Sequence, residues 1–142
     1  MKKTVGLILA LVMMSCAETK KVVKESNALY EILTQQDNGG ANIKFFEILS
    51  EPNEIKMLQN DIHLKNKIAE SDLTKANFLI LNMGEKNTGG YAINVDNVVE
   101  TDKNIIVTVK ETVPESGAMV SQSIVYPYCV VKINSKKEII IK

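Results

Sequence analysis

The stretch that most constrains this chain is Asn77–Val95, NFLILNMGEKNTGGYAINV. An apolar-rich run from Phe78 to Met83 leads into a glycine-rich connection, and a strict alternation, Tyr91-Ala92-Ile93-Asn94-Val95, follows. The first run is short and apolar on both faces of a period-two pattern, which predicts a strand buried on both sides and central in its sheet. The alternation predicts a half-buried strand, with Tyr91, Ile93 and Val95 on one face and Ala92, Asn94 and Asp96 on the other. No residue with obvious catalytic chemistry lies in this stretch.

The flanking segments extend the same theme. Leu29 to Thr34 is apolar-rich, and QQDNGG (35–40) carries turn chemistry. Ile43 to Leu49 is rich in β formers, so strand, turn, strand is the expected unit, although Leu29, Ile32 and Leu33 also fit helical spacing. One helix is expected from Glu51 to Ile62: Ser50 offers a cap, Pro52 suits the first turn, and Ile55, Leu58 and Ile62 form a stripe. Leu64 to Lys75 reads as a polar connection. Asn104–Val113 places Ile105, Val107 and Val109 on one face, after a turn at 102–104. A long strand is expected within Met119–Ile133, with Pro127 at an edge or a break, and EIIIK (138–142) reads as a last short strand.

Short turns between strands imply antiparallel pairing. The expected fold class is therefore α+β: a mainly antiparallel, twisted sheet of six or seven strands with one main helix packed on one face. The globular domain is expected over 27–142, and a chain of this size is long enough to bury a core without disulfides.

The N-terminus carries an address. Lys2 and Lys3 precede an apolar segment, Val5 to Met14, of ~10 residues, too short to span ~30 Å of hydrocarbon and suited to a secretory signal. Ser15-Cys16 at its end resembles the lipobox of bacterial lipoproteins. That resemblance implies cleavage before Cys16 and lipid on its sulfur and amino group, with residues 1–15 a signal peptide and 16–26 a Lys-rich tether. An uncleaved N-terminal helix or an ordinary signal is the alternative. Attachment to the bacterial cell envelope, at the inner or outer membrane, is the implied location. Loss of residues 1–15 removes two lysines and no acid, leaving 15 basic against 17 acidic residues. That balance does not suit nucleic acid.

Candidate chemistry is sparse. His63 is the only histidine, and zinc sites need three or four ligands. Cys129 has no histidine near it in sequence and reads as a small buried hydrophobe. GEKNTGG superficially resembles a phosphate loop but lacks the Lys-Ser/Thr after its second glycine. No G-x-S-x-G elbow occurs. No catalytic residue, metal or cofactor is expected.

Several elements together carry a family resemblance: Met83–Ile93 with its GEKNTGGY loop, the strand IVTVKE (106–111), Pro114, and YPYCVVKI (126–133). Over Asn77 to Ile133 they resemble the C-terminal domain of the PrcB family, named for the lipoprotein subunit of a bacterial surface protease complex. Asn87 stands where that pattern commonly has Pro. The resemblance implies a non-enzymatic envelope lipoprotein that associates with a protease, and it marks Lys86, Asn87, Thr88, Gly89, Gly90 and Tyr91 as a candidate partner-binding loop. The same loop is similar to the N-P-T-T-G-Y/F loop of chagasin-type cysteine protease inhibitors, which enters a protease cleft. The bland alternative is a tight β connection in which Gly89 and Gly90 both supply positive φ. A purely structural envelope role is the third reading.

Overall fold

The computed structural model describes residues 29–142. The expected signal peptide, Cys16 and the tether lie outside the described residues. The elements are β1 (Tyr30–Gln36), β2 (Lys44–Leu49), α1 (Pro52–Leu58), α2 (Asp72–Lys75), β3 (Asn77–Met83), β4 (Ala92–Glu100), β5 (Asn104–Thr112), β6 (Tyr128–Ile133) and β7 (Glu138–Ile141).

The chain is mainly β, as its patterning predicts, but the strands form two sheets rather than one. One has four strands in the order β1-β6-β3-β2, the other three in the order β4-β5-β7. The loop after β3 carries the chain out of its sheet, so β4 packs across the first sheet instead of pairing with β3. The two sheets meet face to face. Leu79, Leu81, Met83, Cys129, Val131 and Ile133 from the first sheet pack with Ile93, Val95, Val98, Ile105, Val107 and Ile139 from the second. Each fully buried aliphatic side chain there contributes roughly 1.5–3 kcal/mol of transfer free energy.

β3 is the interior strand the sequence predicts: it is flanked by β6 and β2, and six of its seven residues are buried. β4 keeps Ile93 and Val95 inward. An irregularity between Val95 and Asn97 then resets the phase, so Val98 rejoins the core.

Five local expectations are corrected. β1 and β2 are not a hairpin; they occupy opposite edges of their sheet, because β6 and β3 insert between them. β7 runs parallel to β5, after the turn at 134–137 carries the chain from one sheet to the other. The long strand expected from Met119 is only β6, and Pro127, which cannot donate to a ladder, precedes its first residue. The helix stops at Leu58. The N–H groups of Gln59, Asn60 and Asp61 bond to carbonyls three residues back, at 3.1–3.2 Å, which tightens the turn. Ile62 is thereby rotated off the stripe and stands 85 % exposed. The cap also differs from expectation. Glu51 is the N-cap residue, and the Glu54 carboxylate accepts from the backbone N–H of Glu51 at 3.2 Å and of Ser50 at 3.3 Å.

The segment expected to be a polar connection builds a second core. Leu64, Ile68, Leu73 and Ala76 join Ile55 against Leu33, Leu49, Phe78, Tyr128 and Val130, on the outer face of the four-stranded sheet. Its many polar residues face solvent while one residue in every three to five turns inward.

Candidate functional site

β1 ends and β6 begins at the pair Gln36–Tyr128, and β2 begins where β3 ends, at the pair Lys44–Met83. In the second sheet, Ala92 at the start of β4 lies opposite Thr112 at the end of β5. Three connections, residues 37–43, 84–91 and 113–127, therefore gather at one end of the sandwich. This end holds all six residues of the loop marked in the sequence.

The loops are laced to one another. Lys86 and Val125 exchange backbone hydrogen bonds of 2.9 Å in both directions, and the Gly89 N–H donates to the Ser121 carbonyl at 2.9 Å. The Glu85 N–H donates to the Asn42 carbonyl and the Gly40 N–H to the Tyr126 carbonyl, each at 2.9 Å. Tyr126 Oη donates to Glu85 Oε2 at 3.1 Å, a bond that holds the phenol proton and raises the Tyr126 pKa. The 84–91 loop is thus a latch between its two neighbours and not a free finger.

Each marked residue has a definite place. The Lys86 ammonium lies 5.5 Å from the centre of the Tyr91 ring, within cation–π range. Asn87 is exposed, and Thr88 and Gly89 are half-buried. Tyr91 packs its ring against the inter-sheet core. Gly90 has φ of +87°, and a Cβ there would lie 2.9 Å from both Pro114 Cβ and Val120 Cγ1. Gly89 does not share the positive φ expected of it; the other left-handed glycine of this connection is Gly84, at +77°. Gly89 is small because of contact, its missing Cβ standing 2.7 Å from Ser121 Oγ.

One organising residue was hidden in the apolar run. Asn82 is buried, and its side chain accepts from Ala41 N–H at 3.0 Å while donating to the carbonyls of Ala41 at 2.9 Å and Ile43 at 2.6 Å. It fastens the 37–43 loop to the end of β3. The only signal in the sequence was a lone amide within a run of aliphatic residues. Above this scaffold the 37–43 and 113–127 loops display apolar side chains to solvent: Ile43, Val113, Met119 and Ile124 are all more than half exposed.

Cys129 is fully buried between the sheets, its Sγ 3.9 Å from Asn94 Oδ1, and burial pushes its pKa up to about 12. A thiol so protonated is a poor nucleophile at neutral pH. His63 sits exposed after α1, its backbone N–H donating to Asp61 Oδ1 at 2.7 Å. Among the described residues no three His, Cys, Asp or Glu side chains come together as metal ligands would.

Residues 78–134 match the family model described as PrcB C-terminal. The match runs from β3 through β6 and takes in both the latch and the long loop it holds. It coincides closely with the region over which the sequence resembles that family. No curated protein and no solved structure matches the chain.

Proposed function

We propose, from the match of residues 78–134 to the PrcB C-terminal family, that this protein is a non-catalytic accessory subunit of a bacterial envelope protease system. It is held to the membrane by lipid on Cys16 and meets its partner with the three-loop end. The observation that carries this reading is the overlap of the matched region with the latch. The matched residues supply two of the three loops, and the backbone bonds from Lys86 and Gly89 hold the 113–127 segment in one shape. A loop already ordered loses little entropy on binding. Exposed Met119 and Ile124 then offer apolar area that an isolated domain would gain nothing by displaying.

The test is affinity capture of the tagged full-length protein from detergent-solubilised envelope. A co-purifying protease is expected, and Met119→Asp combined with Ile124→Asp should abolish its recovery without lowering the melting temperature. Capture of no envelope protease, or capture indifferent to the double substitution, refutes the proposal. Mass spectrometry of the mature N-terminus tests the anchor, since an unmodified Cys16 is incompatible with it. Inhibition of a purified cysteine protease would instead favour the chagasin-like reading.

A further inference from the structure

We infer that the free edge of β2, with the groove between it and α1, is a second binding surface that takes an extended, basic and aliphatic segment of a partner polypeptide as an added strand. This surface lies almost wholly outside the matched residues 78–134, and the inference does not depend on the role proposed for the loop end.

The first observation is that, among the described residues, β2 is an open edge. It ends the four-stranded sheet. Met83 directs its N–H to Pro127, on the β6 side of β3. Antiparallel ladders alternate, so Phe78, Ile80 and Asn82 bond toward β2, through Leu49, Glu47 and Phe45. The backbone groups of Lys44, Phe46 and Ile48 are left directed outward, along the open edge. Natural sheets blunt such edges with bulges, prolines, very short strands or charged side chains, lysine above all. β1 and β4 each carry an irregularity in register, and β7 has only four residues. β2 has six residues in regular register and no proline; its one lysine, Lys44, stands at the end of the strand with its ammonium drawn to Glu111 of β5, and Phe46 and Ile48 are 36 % and 39 % exposed.

The second observation is independent of the first. On the other face of β2, an open cavity of about 320 Å³ lies under α1, floored by Leu49, Leu58 and Ile80 and rimmed by Glu47, Glu54 and Asp61. It adjoins a smaller one of about 190 Å³ that shares Leu58, Asp61 and Ile80 and reaches the 37–43 loop. Among the described residues no lysine or arginine lines either cavity. An added strand presents alternate residues to opposite faces. One set would cover Phe46 and Ile48 and calls for aliphatic side chains. The other would enter the groove, where three carboxylates around an apolar floor call for lysine or arginine, whose aliphatic stems suit that floor. A second copy of this chain fits poorly, because pairing β2 with itself brings two sets of the same acids together.

The test uses the full-length protein and fluorescent synthetic peptides of alternating lysine and valine, seven residues long, read by anisotropy. Saturable, salt-sensitive binding is expected, with a glutamate–valine peptide at least about tenfold weaker. Methylating alternate backbone nitrogens of the lysine–valine peptide should abolish binding, since it removes the ladder donors and leaves the protein untouched. Glu47→Lys, at an exposed position, should weaken binding about fivefold or more with an unchanged melting temperature. The inference is overturned by any of three results: no saturation below about 1 mM, equal binding of the methylated or acidic peptide, or self-association that Phe46→Lys abolishes.

Discussion

The two faces of β3 are covered in different ways. Toward the second sheet, Leu79, Leu81 and Met83 meet regular strands in a closed layer with exposures of 0–2 %. Toward the other side, Phe78, Ile80 and Asn82 meet a short helix, a helical turn and the irregular chain between them. Phe78 is sealed there, but Ile80 borders the groove and Asn82 spends its buried amide on a loop. Sheet-on-sheet packing satisfies the backbone groups of interior strands through ladders and leaves little room for openings. Covering a sheet with irregular chain leaves gaps and needs polar fastenings, and those are where ligands and loops find purchase.

If both faces belong to one cooperative unit, substitution on either should lower the same transition. Leu81→Ala should cost about 4 kcal/mol and Ile55→Ala about 3 kcal/mol, as expected for large-to-small changes at fully buried sites. Urea unfolding followed by both tyrosine fluorescence and circular dichroism checks this. A shift in the Ile55→Ala variant confined to one probe would make the helical side an appendage and break the comparison.

Asn82→Ala should cost about 2–3 kcal/mol, since it leaves the Ala41 N–H and the carbonyls of Ala41 and Ile43 without their buried partner. Hydrogen exchange at Ala41 should accelerate more than exchange at Leu79. Uniform acceleration across β3 would mean that Asn82 supports the sheet and not the loop.

The same contrast explains what the sequence made legible. β3, β4 and β5 declare themselves because a strand between regular layers shows its burial as a run or an alternation: Phe78–Met83 and Ile93/Val95 are read directly. Two sheets rather than one was not legible, because alternation fixes which face is buried and not which strand lies beside it. β1 and β2 are adjacent in sequence and joined by turn chemistry, yet only long-range pairing with β6 and β3 decides their neighbours. Leu64, Ile68, Leu73 and Ala76 are spaced four, five and three apart, a pattern with no single period to detect. For the candidate site, the loop Lys86–Tyr91 could be singled out, but its partners Ser121 and Val125 could not, since a latch is a tertiary contact.

Adjacent residues of β6 face the two cores, which allows an alkaline test of each. Cys129 points into the inter-sheet layer, where burial moves its thiol from an ordinary 9.0 to about 12; Tyr128, on the helical side, is also raised, first by burial and then by the nearby Asp61 charge. Between pH 9 and 12 the unfolded chain releases the thiol proton while the folded chain retains it. Stability from this group is therefore complete below pH 9 and falls above it, by about 1.4 kcal/mol per pH unit. Cys129→Ala should flatten the fall between pH 9 and 10, whereas Tyr128→Phe should leave that window unchanged and act only above pH 10. Equal slopes in the wild type and Cys129→Ala would show that the inter-sheet layer admits water.

The smallest effects lie in the latch, where two neighbouring glycines serve for different reasons. Gly90→Ala forces a side chain into φ of +87° and against Pro114 and Val120, so it should cost about 1–2 kcal/mol. Gly89→Ala keeps an ordinary φ and meets a hydroxyl that can rotate, Ser121 Oγ, so it should cost under about 0.5 kcal/mol. Ser121→Ala should recover that smaller loss in a double variant and leave the Gly90→Ala penalty untouched, because a backbone conformation is not relieved by trimming a neighbour. Thermal unfolding of the four variants reads this. A larger penalty at Gly89 than at Gly90 would mean the latch is held by the contact with Ser121 and not by the left-handed turn, and the loop end would then have to be counted with the adaptable side of the molecule.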